Sequence, residues 1–99
     1  MRHTMRGETL TVYLTGELDH HSASGIREEL DRLIRDSRAR KLVLDLSSLT
    51  FMDSSGIGVV IGRYNQMARR GGSLAVKKPS SQISRIFDLS GVYQIVERL

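Results

Sequence analysis

A short, almost uninterrupted run of apolar residues in the middle of the chain restricts the possible folds most. Residues 42–46 read Leu-Val-Leu-Asp-Leu. Such a run is typical of a strand that is covered on both faces. A helical pattern follows it, because apolar residues recur at the spacing of one helix face: Ile57, Val60, Ile61, Tyr64 and Ala68. A buried strand therefore leads directly into a packed helix.

The other apolar patterns predict further strands and helices in alternation. Leu10, Val12 and Leu14 alternate with polar residues, which predicts a strand with one buried face. Residues 73–76 predict another strand, and Gly7 after a short extended stretch predicts an opening hairpin. One more helical stripe covers residues 23–34, and a last helix begins at Pro79 and Ser80. Gly91 is the predicted stop of that helix, and residues 93–96 are a short strand or the start of a docking segment.

This alternation predicts the fold class. Strands separated by helices pair in parallel through right-handed crossovers, and the opening hairpin adds one antiparallel member. The predicted fold is α/β: a small mixed β-sheet, mostly parallel, packed with helices. Ninety-nine residues allow one domain, residues 1–99, with one core.

Composition excludes several classes of function. The chain has no cysteine, which rules out disulfides and thiolate metal sites. It has no apolar run of membrane-spanning length and no secretory signal, so a cytoplasmic protein without a membrane partner is expected. The net charge is +4, but the basic residues fall mainly at predicted helix ends and strand ends. That distribution does not favour direct nucleic-acid binding.

Two serines mark the start of the helix that follows the buried strand. Unpaired N–H groups and the helix dipole favour a negative group there, so Ser54 or Ser55 is suited to carry a phosphate. The same position also suits a simple helix cap by Asp53, Ser54 or Ser55. Gly56 and Gly58 allow either tight helix–sheet packing or open access to the serines. Met52 and Phe51 are predicted to be packing residues.

A second polar cluster follows the first long strand. Asp19, His20 and His21 suit a helix cap by Asp19 or a neighbour, followed by exposed histidines. The same three residues are the candidate ligands of a small metal-dependent phosphohydrolase, although a catalytic metal needs further ligands. A hydrolase triad with Ser54 lacks a glycine before the serine, and no Walker loop is present. Both polar clusters leave carboxyl ends of parallel strands, where sites in open α/β sheets gather.

Three motifs, in order, resemble the STAS family of anti-sigma factor antagonists. Phe51-Met52-Asp53-Ser54-Ser55-Gly56 with Gly58 resembles that family's phosphorylation motif. Thr15-Gly16-Glu17-Leu18-Asp19 resembles its early strand-to-helix turn, and Phe87-Asp88-Leu89-Ser90-Gly91-Val92 its late helix end. Gly62-Arg63-Tyr64 and the two histidines resemble the sporulation branch of endospore-forming bacteria in particular. Many family members continue beyond the position of Leu99 into a final helix.

The resemblance implies a STAS fold and a switch rather than an enzyme. The unphosphorylated protein is expected to bind an anti-sigma factor that is also a serine kinase, which frees a sigma factor. Phosphorylation of Ser54 by that kinase is expected to abolish binding, and a serine phosphatase would reset the switch. No cofactor or metal is expected. The implied partner-binding surface consists of Asp19, His20, His21, Ser22, Asp53, Ser55, Gly56, Ile57 and Gly58.

Two points stay open at this stage. The residues alone do not choose between Ser54 and Ser55; the match to the family motif selects Ser54, with Ser55 capping the helix or supporting the loop. The alternatives to a sporulation switch are the metal-dependent phosphohydrolase and a STAS regulator of a stress-response pathway.

Overall fold

A computed structural model describes residues 1–99, in which five strands alternate with three helices. The strands are β1 (His3–Arg6), β2 (Thr9–Leu18), β3 (Lys41–Met52), β4 (Ser73–Lys77) and β5 (Glu97–Arg98). The helices are α1 (Ala23–Arg35), α2 (Ser54–Arg69) and α3 (Ser81–Ser90), and a 3-10 turn covers Val92–Gln94. None of the helices is both long and apolar enough to cross a membrane.

The five strands form one mixed sheet whose spatial order is the chain order. β1 and β2 are antiparallel around Gly7, whose φ of 58° lies in the left-handed region that glycine adopts most readily. All other neighbours are parallel. The predicted α/β fold class, with a mostly parallel sheet and an N-terminal hairpin, is confirmed. Because β2 and β3 are parallel neighbours, the segments that leave their carboxyl ends lie side by side.

The helices cover one face of the sheet, and residues 42–46 of β3 are nevertheless buried throughout, as the apolar run predicts. One core cluster joins Leu42, Leu44 and Leu46 with buried side chains from all three helices. Right-handed crossovers between strands in chain order place successive helices on the same side. Val43 points to the other face and lies outside that cluster, yet only 5% of it is exposed. Lys41 Nζ on β3 lies 2.7 Å from Glu97 Oε2 on β5, an ion pair that reaches across β4.

Both ends of α3 follow the predicted chemistry, whereas the C-terminal segment differs. Ser80 caps α3 by accepting a hydrogen bond from the Ile83 N–H at 3.2 Å. Gly91 ends α3 with a φ of 79°, which confirms the predicted stop. The short strand predicted at residues 93–96 is displaced, because a 3-10 turn occupies Val92–Gln94 and the strand is Glu97–Arg98.

Candidate functional site

The candidate site begins where β3 ends and α2 starts. Asp53 is the N-cap of α2, and its Oδ1 accepts a hydrogen bond from the Ser55 N–H at 2.8 Å. Ser54 is the first helical residue and is exposed, whereas Ser55 is half-buried. Of the three residues that suit a cap, Asp53 therefore fills that position, and the idea that Ser55 caps the helix is wrong. An exposed hydroxyl remains at the positive end of the helix dipole.

The second oxygen of Asp53 connects this helix start to the neighbouring turn. Its Oδ2 accepts a hydrogen bond from the His20 N–H at 3.3 Å. The Asp53 N–H in turn donates to the carbonyl of Leu18 at 3.3 Å. The two polar clusters expected at the carboxyl ends of β2 and β3 therefore contact each other through Asp53. This single carboxylate holds both a helix end and a loop.

The turn at residues 19–22 is organised by its own polar side chains. Asp19 Oδ1 accepts hydrogen bonds from the N–H groups of His21 and Ser22 at 2.9 and 3.0 Å. The hydrogen bond from the Ser22 N–H is the main reason why the pKa of Asp19 lies below its ordinary value. The Ser22 hydroxyl donates to the Glu17 carbonyl at 2.8 Å and accepts from the Asp19 N–H. The turn is thus an Asx-type structure held by its own side-chain hydrogen bonds.

The predicted cap of α1 takes a different form. Ser22 occupies the N-cap position, but its side chain makes no capping hydrogen bond. Asp19 bonds to N–H groups that precede the helix, so its carboxylate stabilises the turn rather than α1 itself. His20 and His21 are exposed, and their rings meet edge to face with centroids 5.8 Å apart. Nowhere in the chain do three His, Cys, Asp or Glu side chains gather as a metal site would require.

The two glycines of the motif differ in their surroundings. A Cβ at Gly56 would clash with Cγ of the buried Met52, so this glycine is required by helix–sheet packing. A Cβ at Gly58 would meet no atom within 4 Å, and the residue is exposed. Packing therefore explains Gly56, whereas Gly58 leaves the helix surface bare beside the serines. Ile57, between them, is half-buried against the core.

Phe51 lies on the surface next to this site, contrary to the packing role predicted for it. Met52 is fully buried as predicted, but 39% of Phe51 is exposed. The pairing of β2 with β3 shifts register twice between Tyr13 and Glu17, which breaks the simple alternation of faces along β3. Counting alternate residues from the core-facing Leu44 and Leu46 nevertheless places Met52 inward and Phe51 on the opposite face, so the alternation of β3 could have predicted the exposed aromatic ring.

Arg27 is a further member of the site that sequence reasoning missed. A shallow cleft of about 530 Å³ runs between the first turns of α1 and α2. Its lining residues are His20, Ala23, Ser24, Arg27, Ser55 and Gly58. Arg27 therefore adds a basic side chain to the lining of the cleft between the two helices. In the sequence, the only indication of this role is that Arg27 lies one helical turn after Ala23 in the predicted helix.

Comparison with known proteins gives the same assignment as the motifs. Residues 2–99 match the STAS domain family. An anti-sigma F factor antagonist of Paenibacillus polymyxa is 41% identical over 87 residues, which are 88% of this chain and 74% of that protein. An anti-sigma-B factor antagonist of Bacillus subtilis (strain 168) is 33% identical over 88 residues, 89% of this chain and 79% of that protein.

Solved structures agree with these relatives. The anti-sigma factor antagonist SpoIIAA in its unphosphorylated form matches with a TM-score of 0.83 and 29% identity, over 99% of this chain and 86% of that chain. The Bacillus cell fate determinant SpoIIAA in the phosphorylated form matches with a TM-score of 0.74 and 30% identity, over 99% of this chain and 89% of that chain. The chain therefore belongs to the STAS domain family. Within that family, its relatives are the anti-sigma factor antagonists.

Proposed function

We propose that this protein is an anti-sigma factor antagonist that is switched by phosphorylation of Ser54. Unphosphorylated, it binds an anti-sigma factor with serine kinase activity in the cytoplasm and thereby frees a sigma factor. The kinase then phosphorylates Ser54, the complex dissociates, and a serine phosphatase restores the binding form. The protein itself is not an enzyme in this scheme. The observation that carries the proposal is the exposed Ser54 hydroxyl at the start of α2, beside the Asp53 cap.

Exposure and position support Ser54 rather than Ser55 as the acceptor. Ser54 is exposed as the first residue of α2, so a kinase can reach its hydroxyl. Ser55 is half-buried, and its N–H is engaged by Asp53. Ser55 also lines the shallow cleft that contains Arg27. The match of Ser54 to the family's phosphorylation motif points the same way.

The partner-binding surface in this proposal combines both loops. The turn at residues 19–22 and the start of α2 are joined by Asp53, so they present one continuous surface. Phe51 adds an exposed aromatic ring at its edge, and aromatic residues are enriched in the buried centres of protein interfaces. Gly58 adds a bare helix surface that a partner backbone can approach closely.

The effect of the phosphate follows from its charge and surroundings. Phosphorylation adds about −1.5 to −2 charges at neutral pH and three acceptor oxygens. In the free protein, the positive end of the α2 dipole stabilises that charge, while Asp53 keeps its hydrogen bond from the Ser55 N–H. In a closed interface the same charge loses its hydration, and its repulsion by the adjacent Asp53 carboxylate is no longer screened by water. Binding is therefore weakened while the fold is retained.

The relatives favour the sporulation pathway over the stress-response alternative. The anti-sigma F factor antagonist of P. polymyxa is 41% identical, whereas the anti-sigma-B factor antagonist of B. subtilis is 33% identical. We therefore propose an anti-sigma F factor as the partner. Interaction of the purified protein with anti-sigma F but not with the stress-response anti-sigma factor from the same genome would support this choice, and the reverse preference would overturn it.

Incubation with the partner kinase and ATP, followed by site-resolved mass spectrometry, tests the acceptor assignment. Wild-type protein and Ser55→Ala are expected to carry phosphate on residue 54. Ser54→Ala is expected to fold, to bind the partner and to take up no phosphate. Phosphate on Ser55 in the wild type, or undiminished uptake by Ser54→Ala, would refute the assignment.

A further inference from the structure

A cleft with a strongly basic lining lies between α1 and α2, away from the Ser54 site. It encloses about 440 Å³ and has no apolar residue in its lining. Its side chains are Asp31, Arg35, Arg63, Gln66, Arg69 and Arg70, so four guanidinium groups face one carboxylate. Arg63 follows Ser54 by nine residues, which places it about 14 Å further along the helix axis. The cleft is therefore separate from the proposed switch.

Arg63 is the most unusual residue in this cleft. Only 8% of it is exposed, and burial lowers its pKa although Asp31 opposes that effect. Its Nε lies 3.2 Å from Asp31 Oδ1, close enough for an ion pair but not aligned for a hydrogen bond. Both Nε and Nη1 are buried without a hydrogen-bond acceptor in the protein. Buried donors of this kind are rare, because leaving them unpaired costs free energy.

Gln66, one helical turn further along α2, has an unpaired acceptor where Arg63 has unpaired donors. Its Oε1 is also buried and accepts no hydrogen bond. Arg63 and Gln66 line the same cleft, so two unpaired donor atoms and one unpaired acceptor atom belong to one site. A species that completes this site must offer acceptor oxygens to a guanidinium and a hydroxyl to an amide oxygen.

The other arginines of the cleft divide into structural and available groups. Arg70 donates to the carbonyls of Ile34 and Ala39 at 3.0 and 3.1 Å, so it neutralises the C-terminal end of α1. Those bonds reduce the negative potential that a helix end would direct at an anion. Arg69 and Arg35 are exposed, and Arg35 has only a 4.0 Å contact to Asp36. They remain free to contact a ligand.

We propose that this cleft binds inorganic phosphate as a hydrogenphosphate ion. Its oxygens accept hydrogen bonds from Arg63 and Arg69, since a guanidinium fork matches the geometry of a phosphate. Its remaining hydroxyl donates to Gln66 Oε1. Sulfate has the same shape but no hydroxyl at neutral pH. It can therefore accept hydrogen bonds from the arginines, but it has no donor for Gln66 Oε1. The proposal rests on this cleft alone and does not depend on the function proposed for Ser54.

Titration of the isotope-labelled full chain with phosphate at constant ionic strength tests this proposal. The Nε–H signal of Arg63 and the side-chain amide of Gln66 are expected to shift and saturate together in NMR spectra. Arg63→Lys keeps a charge but loses the planar fork, so affinity should fall about tenfold or more, as for loss of a charge-assisted hydrogen bond. Arg69→Gln should weaken binding less. Arg38→Gln, which removes an exposed charge outside the cleft, should bind as the wild type does.

Sulfate and Gln66→Leu test the role of the hydroxyl. Wild-type protein should prefer phosphate over sulfate several-fold, and Gln66→Leu should lose that preference. Shifts that fail to saturate, equal weakening by Arg38→Gln, or a preference unchanged in Gln66→Leu would overturn the proposal. A high-resolution structure grown in phosphate with only water against Arg63 would do the same. Where Arg63→Lys does not fold, Arg69→Gln and Gln66→Leu still decide the outcome.

Discussion

Substitution of Asp53 tests whether one carboxylate holds both loops of the site. Asp53 accepts from the Ser55 N–H at 2.8 Å and from the His20 N–H at 3.3 Å. Asn is as good an N-cap residue as Asp, so Asp53→Asn keeps the bond to Ser55. Its amide group, however, presents N–H donors where the second oxygen was. Asp53→Asn therefore separates the helix cap from the bridge to His20.

The expected magnitudes follow from these contacts. Asp53→Asn loses the interaction of a charge with the helix N-terminus, about 0.3–1 kcal/mol, and one long, exposed hydrogen bond, about 0.5 kcal/mol. We expect a loss of about 1 kcal/mol in the free energy of unfolding. Asp53→Ala also loses the cap, about 1 kcal/mol more, for a total of about 2 kcal/mol.

Urea denaturation and partner titration together decide the outcome. Asp88→Asn removes the same charge from an exposed position on α3 and should change stability by less than about 0.5 kcal/mol. Folded Asp53→Asn should bind the partner more weakly than wild type, because the turn at residues 19–22 is released from the helix start. Equal destabilisation by Asn and Ala, or unchanged partner affinity of Asp53→Asn, would refute the bridging role.

Other variants test the glycines and the Asp19 turn. Gly56→Ala should destabilise the fold by about 1–3 kcal/mol because its Cβ would clash with buried Met52; Gly58→Ala should instead stabilise it by about 0.5–1 kcal/mol, and equal effects in denaturation would contradict this contrast. The pKa of Asp19 is lowered in the folded state, so its stabilisation is complete above its ordinary pKa and is lost as the pH falls through the folded value, below about pH 4. In Asp19→Asn, the free energy of unfolding should therefore fall less steeply with pH in the acid range. An unchanged acid transition would contradict the stabilising role of the Asp19 carboxylate. Asp19→Ala should also weaken partner binding in calorimetry by more than its loss of folding explains, whereas wild-type affinity would exclude the turn from the interface.

The elements that position the site could be predicted because local periodicity determines them. The alternating face of β2, the apolar run of β3 and the helical stripe of α2 place Ser54 at a helix start without any structure. The same patterns do not decide which of three capping residues fills the N-cap, since Asp53, Ser54 and Ser55 have similar capping chemistry. Only the geometry assigns the cap to Asp53.

Features that depend on long-range packing could not be predicted from the sequence. An apolar run such as residues 42–46 indicates burial, but burial by helices and burial by neighbouring strands give the same pattern. The register shifts between β2 and β3 break the alternation of faces along β3, and they have no local signature. The sequence motifs include Arg63 only through the Gly62-Arg63-Tyr64 resemblance, and they do not include Arg27 at all. The packing of α1 against α2 buries Arg63 and places Arg27 in the cleft at the helix starts.

The central claim is that phosphate on Ser54 weakens partner binding through local charge. The most direct measurement is the affinity of the partner for unphosphorylated, phosphorylated and Ser54→Asp protein, with amide NMR spectra of each form. We expect phosphorylated protein to bind most weakly and Ser54→Asp to lie between the two, because aspartate carries less charge and bulk than phosphate. Shifts should be confined to residues near 19–22 and 53–58. Equal affinity of all forms, or shifts across every strand of the sheet, would contradict the claim.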